Sequence, residues 1–154
     1  MIPARLFALS LAALLVALAG CGSSPKTVTK AQYQAQLTMS GQAITIAGQQ
    51  LGKVITIAEF NGAVSDLQKA LRDGEKNLKG LQPPADTQAP NKQLAQAFGD
   101  LADALEAVKE ARRVTIMKAR EELAKLGGSA AIKNGRAAIQ KLHQLGYAVD
   151  AATP

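Results

Sequence analysis

Apolar residues recur at steps of three and four over most of this chain, a spacing that suits helices each burying one face. The stripes Val64, Leu67, Leu71, Gly74, Leu78 and Leu94, Phe98, Leu101, Leu105, Val108 are the clearest. Ile116, Ala119, Leu123, Leu126 and then Ile132, Ile139, Leu142, Leu145 continue the pattern in new phases. No helix buries such a stripe alone. The expected fold is therefore all-α: an antiparallel helical bundle of about four helices, following an N-terminal signal segment. Tyr33, Phe60, Phe98 and Tyr147 are the aromatics available to its core, so Leu, Ile, Val and Ala must supply the rest. Abundant Ala, Leu, Gln, Glu and Lys agrees with helix.

Local signals predict where the helices start and stop. Thr29-Lys30-Ala31-Gln32 has capping-box form, so a first helix starts near Lys30. Its stripe runs Tyr33, Leu37, Ser40 or Gly41, Ile44, Gly48, Leu51, Ile55, Ala58. Gly41, Gly48 and Gly52 each weaken it by about 1 kcal/mol relative to Ala, unless they admit a close neighbour. A β-hairpin over residues 43–58 competes, because Ile44-Thr45-Ile46 and Val54-Ile55-Thr56-Ile57 are β-branched and alternate. Helix is favoured, since Ile44-Thr45-Ile46-Ala47 recurs as Ile55-Thr56-Ile57-Ala58, about three helical turns on.

Asn61-Gly62 reads as a turn before the second helix. Gly80 reads as that helix's stop, and residues 81–91, with Pro83, Pro84 and Pro90, as the main loop. The third seam is interrupted at Arg112, which predicts a kink or short break between Arg112 and Thr115. Gly127-Gly128 end that helix, Ser129 caps the last, and Gly146 closes it. A disordered tail is expected over residues 150–154.

The N-terminus has a different character. Arg5 is the one side-chain charge in residues 1–18. As a helix the uncharged residues 6–18 would reach about 20 Å, against roughly 30 Å for a hydrocarbon core, which suits a signal segment better than a spanning helix. Leu18-Ala19-Gly20-Cys21 follows and holds the single cysteine. This stretch resembles the lipobox of bacterial lipoproteins. The resemblance implies signal-peptidase recognition through Leu18, Ala19 and Gly20, removal of residues 1–20, and a diacylglycerol thioether on Cys21. An ordinary thiol after conventional cleavage, or an uncleaved anchor, are the competing readings.

Residues 21–28, rich in Gly and Ser, would form a flexible tether to a bundle domain over residues 29–149. The implied location is extracytoplasmic, lipid-anchored to the cell membrane. In an organism with an outer membrane, the absence of Asp after Cys21 leans towards that membrane. The body adds a second resemblance. Leu78-x-x-Leu81-x-Pro83-Pro84-x-Asp86, then Leu94, Phe98, Leu101-Ala102-Asp103 and Gly146-Tyr147, is similar to small uncharacterised helical lipoproteins of actinobacteria. That family implies a place and a shape, not an activity.

Chemistry is sparse. His143 is the lone histidine, so neither a nucleophilic triad nor a zinc cluster is available. Met39 and His143 sit roughly where four-helix b-type cytochromes place their haem ligands, but Met39 falls off the Leu37/Ile44 seam, and haem is disfavoured. Asp100, Asp103, Glu106 and Glu110 lack the Glu-x-x-His pairs of a di-metal bundle and read as a solvated face. Phosphate loops of the Walker kind are absent. No catalysis, metal or cofactor is expected.

The net charge of +6 gathers late in the chain, on Arg112, Arg113, Lys118, Arg120, Lys125, Lys133, Arg136 and Lys141, opposed there by Glu121 and Glu122. Helix solubility accounts for such a run; attraction to anionic lipid, a wall polymer or an acidic envelope protein is the functional alternative. Nucleic acid is disfavoured, for want of aromatic platforms and by location. The sequence thus points to a structural or interaction module of the envelope, held to the membrane through Cys21. The alternative is a carrier binding a hydrophobic molecule, or b-type haem, in the bundle core.

Overall fold

The computed structural model describes residues 27–54, 56–112 and 115–149. The expected signal segment over residues 1–20, Cys21 and the expected tail over residues 150–154 lie outside them. The described residues are all-helical, in five α-helices: α1 (Lys30–Leu51), α2 (Ile57–Gly80), α3 (Gln88–Arg112), α4 (Ile116–Leu126) and α5 (Ala130–Gln144). The expected four become five because α3 ends at Arg112 and a separate helix starts at Ile116. Thr115 is extended and caps α4, its Oγ1 accepting from the Lys118 N–H at 3.1 Å.

Capping chemistry also moves the boundary between α1 and α2. Thr29 begins α1 as predicted: its Oγ1 accepts from the Gln32 N–H at 3.2 Å and Gln32 accepts from the Thr29 N–H at 2.9 Å. However, α1 stops at Leu51 with Gly52 as its C-cap, and does not run on to Ala58. Thr56 forms a second capping box with Glu59, at 3.2 and 2.9 Å. The two Ile-Thr-Ile-Ala copies therefore play different parts. One lies inside α1; the other straddles the start of α2, where its threonine satisfies N–H groups that a helix end leaves bare. Residues 43–51 are helical, so the hairpin does not form.

Two further expectations are corrected. Asn61-Gly62 lies within α2 rather than in a turn. The main loop is shorter than residues 81–91: a 3-10 turn over Ala85–Thr87 leads straight into α3. Pro90 falls in the first turn of α3, where its missing N–H interrupts no helical bond. Gly146 does close α5, at φ 77°, in the left-handed region that glycine tolerates.

The apolar stripes do not merge into one core. One cluster joins Tyr33, Leu37, Leu78, Leu94 and Leu142 to Tyr147 and Val149 beyond α5. The other joins Phe60, Val64, Leu71, Leu105, Val108 and Ala119. Phe98, at the middle of α3, packs against both. Helix α1 packs on α2, α2 on α3, and α4 and α5 each on α3, with no comparable interface between α1 and either α4 or α5. Glycine allows the tightest approaches. A β-carbon on buried Gly74 would lie 3.0 Å from Phe98 Cδ2, and one on Gly135 would lie 3.5 Å from Ala97 Cβ.

Buried polar groups pin the first cluster. The Tyr33 hydroxyl donates to Asn91 Oδ1 at 3.1 Å, and Asn91 Nδ2 donates to the Leu78 carbonyl at 3.0 Å. That relay links α1, the end of α2 and the start of α3 through groups shut off from water, where unpaired polar atoms are costly.

Candidate functional site

With α1 lying against α2, and α4–α5 against α3, an apolar cleft of about 620 Å³ remains between them. Phe98, Leu101 and Leu71 contribute its floor from α2 and α3. Ile44 and Gly48 line it from α1, and Leu123, Ile132 and Ile139 from α4 and α5. The volume falls within the range of about 300–1,000 Å³ common for small-ligand sites, which are mostly apolar with a few placed polar groups.

Small residues on α1 keep the cleft open. The predicted stripe of α1 carries Ser40, Gly41 and Gly48 where a bundle helix would ordinarily carry Leu or Ile. A β-carbon on Gly48 would meet nothing within 4 Å. This glycine thus admits no close neighbour, in contrast to Gly74. The same small residues were the sequence's one visible sign of the cleft.

Few of the lining residues are polar. Ser40 is 6% exposed, and its Oγ is buried without a hydrogen-bond partner. Thr45 is already satisfied, donating to the Gly41 carbonyl at 2.8 Å. Gln49 and Arg136 are exposed, at the mouth, and Arg136 is the sole charged lining residue. Arg136 makes no ion pair among the described residues.

The other predicted site residues scatter. Lys118, Arg120 and Lys125 lie on α4, and Lys133, Arg136 and Lys141 on α5, all exposed. Lys125 is paired with Glu121 at 3.0 Å and Glu122 at 2.8 Å. The side chains of Arg112 and Arg113 lie outside the described residues, as do Leu18, Ala19, Gly20 and Cys21. Met39 is 62% exposed on α1, His143 is exposed on α5, and neither lines the cleft.

The carboxylates of α3 do more than face solvent. Asp103 pairs with Arg72 of α2. Glu106 accepts from Gln68 Nε2 at 2.5 Å, which also donates to the Ala102 carbonyl at 2.9 Å. Glu75 sits between Lys79, at 2.6 Å, and Arg72, at 3.1 Å. Hydrogen bonds from these two cations, Lys79 foremost, hold its carboxyl below the usual range. The Glu75 pairs lie within α2, whereas Arg72–Asp103 and the Gln68 hydrogen bonds fasten α2 to α3. Among the described residues, no group of His, Cys, Asp and Glu is placed to hold a metal ion, and no helix is long and apolar enough to cross a membrane. In comparisons with family models, curated proteins and solved structures, nothing matches this chain.

Proposed function

We propose that this protein is a lipid-anchored envelope module whose helical body binds a hydrophobic molecule in the cleft between α1 and α4–α5. The cleft carries the reading. A space of about 620 Å³ walled by Leu, Ile and Phe holds water poorly, and filling it with alkyl or aryl surface is favourable at about 25 cal/mol per Å² buried. Anchoring rests on the resemblance at Leu18-Ala19-Gly20-Cys21. A body held beside a bilayer through Cys21 would meet apolar molecules where they are most concentrated. The antiparallel arrangement of its helices belongs to the same proposal.

Native mass spectrometry on full-length protein from its own membranes tests both parts. The chain is expected to begin at Cys21, to bear acyl mass there, and to carry an additional non-covalent mass. Gly48→Leu places a side chain in the cleft and is expected to remove the non-covalent mass alone. A chain of unmodified mass with a bare thiol would overturn the anchoring. A ligand mass that survives Gly48→Leu would overturn the cleft as its site.

A second reading has its own observation. Lys118, Arg120, Lys133, Arg136 and Lys141 are exposed and make no ion pair among the described residues, which suits attraction to an anionic surface. Protein with Cys21→Ser should then bind anionic vesicles better than neutral ones, with affinity falling as salt rises. Equal binding to both would remove this reading.

A further inference from the structure

We infer that the occupant of the cleft is a long-chain fatty acid held as its carboxylate, with Arg136 at the headgroup and the aliphatic floor along the chain. The inference rests on the cleft's being a ligand site, as proposed above, and adds the ligand's class.

Two polar features separate this cleft from a plain apolar gap. The first is Arg136. It stands alone as the charge on the lining, has no carboxylate partner among the described residues, and sits at an exposed edge where an ionised head can stay partly hydrated. A guanidinium offers a planar fork that matches the two oxygens of a carboxylate. One cation balances one carboxylate charge, whereas a phosphate monoester brings about −1.5 to −2.

The second is Ser40. Its hydroxyl is buried without a partner on the opposite wall, a state that native proteins seldom keep unless something else completes it. Gly74 faces both Phe98 and Ile44, while Gly135 faces Ala97, so Ile44 and Gly135 lie at nearly the same height across α3. Ser40 is four residues, about 6 Å, along α1 from Ile44, and Arg136 adjoins Gly135. A head held at Arg136 leaves Leu101, Leu123 and Leu126 to line its alkyl chain.

The test uses full-length protein in phosphatidylcholine vesicles and palmitate carrying a photoreactive diazirine. Labelled peptides are expected from α1 and α5. Unlabelled palmitate should compete about tenfold better than hexadecanol, the scale of one charge-assisted hydrogen bond. Shortening the fatty acid should weaken competition about fourfold per methylene. Arg136→Gln should erase the preference for palmitate while leaving hexadecanol unchanged. Circular dichroism checks that each variant is folded.

Equal competition by palmitate and hexadecanol would overturn the fatty-acid inference and leave the cleft a general apolar site. Better competition by a lysophospholipid than by palmitate would overturn it likewise. Labelling that appears only in Cys21→Ser protein would put the protein's own anchor in the cleft and also overturn it. Labelling that ignores Gly48→Leu would instead remove the cleft reading itself.

Discussion

The ring of Tyr33 meets the ring of Tyr147 edge-on, with centroids 5.4 Å apart and planes at 82°. This contact fastens the segment beyond α5 to the first turn of α1, and Lys30 Nζ lies 4.8 Å above the Tyr147 ring. Gln34 donates to the Ala148 carbonyl beside them. Edge-to-face pairs of this kind contribute about 0.5–1.5 kcal/mol beyond the area they bury. Val149, which lines one end of the cleft, is positioned by the same segment.

Tyr147→Ala should therefore cost about 3 kcal/mol or more, since it empties a buried aromatic site as well as ending the ring contact. Urea unfolding of the variant measures it. A cost below about 1 kcal/mol would mean that the segment beyond α5 is not held as described.

Alkaline pH should unfold the protein through the same pair. Burial pushes the Tyr33 phenol far above its ordinary value, and burial also raises Tyr147. An unfolded tyrosine releases its proton near pH 10. Below that pH both states keep their protons and stability is complete. Above it the unfolded chain binds fewer protons than the folded one, so stability falls as pH rises towards the folded values. With two tyrosines and no tryptophan in the chain, tyrosinate absorbance reports them directly. It should rise together with loss of helical circular dichroism. Ionisation at an ordinary pH with helix intact would contradict the burial.

Two glycines should respond differently to Ala. Gly48 lies inside α1 with open space where a β-carbon would go, so Gly48→Ala should stabilise by about 1 kcal/mol. Gly74→Ala has the same helical preference in its favour, but its β-carbon would press on Phe98 at 3.0 and 3.2 Å. It should gain clearly less, or lose stability. Thermal unfolding of both variants decides it; equal gains would show that Gly74 marks no close approach.

Thr115→Ala should cost about 1 kcal/mol, by leaving the Lys118 N–H at the start of α4 without its acceptor. Hydrogen exchange should localise the loss to the first turn of α4. Unchanged exchange there would argue against a capped, separate α4.

Legibility differed between the helices and the cleft for a physical reason. Helical character, the caps at Thr29 and Ser129, the stop at Gly146 and the stripes of α2 and α3 are local: each follows from residues three or four apart. The misplaced boundaries were local too, but pitted one signal against another. The Ile-Thr-Ile-Ala repeat and Asn61-Gly62 suggested continuity and a turn, while the Thr56–Glu59 box overrode both.

The cleft could not be read in this way. Ser40, Gly41 and Gly48 announce a narrow helix face, equally suited to close packing or to a gap. Which of these holds depends on where α4 and α5 settle on α3, and so on Ala97, Phe98 and Gly135, residues distant in the chain from α1. Residue spacing along the chain determined the helices and most of their ends. Only packing between distant segments decided that the core splits at Phe98, that Ser40 and Arg136 line one cleft, and that this space remains. Side-chain volume is a property of each residue, but a void belongs to how several helices meet.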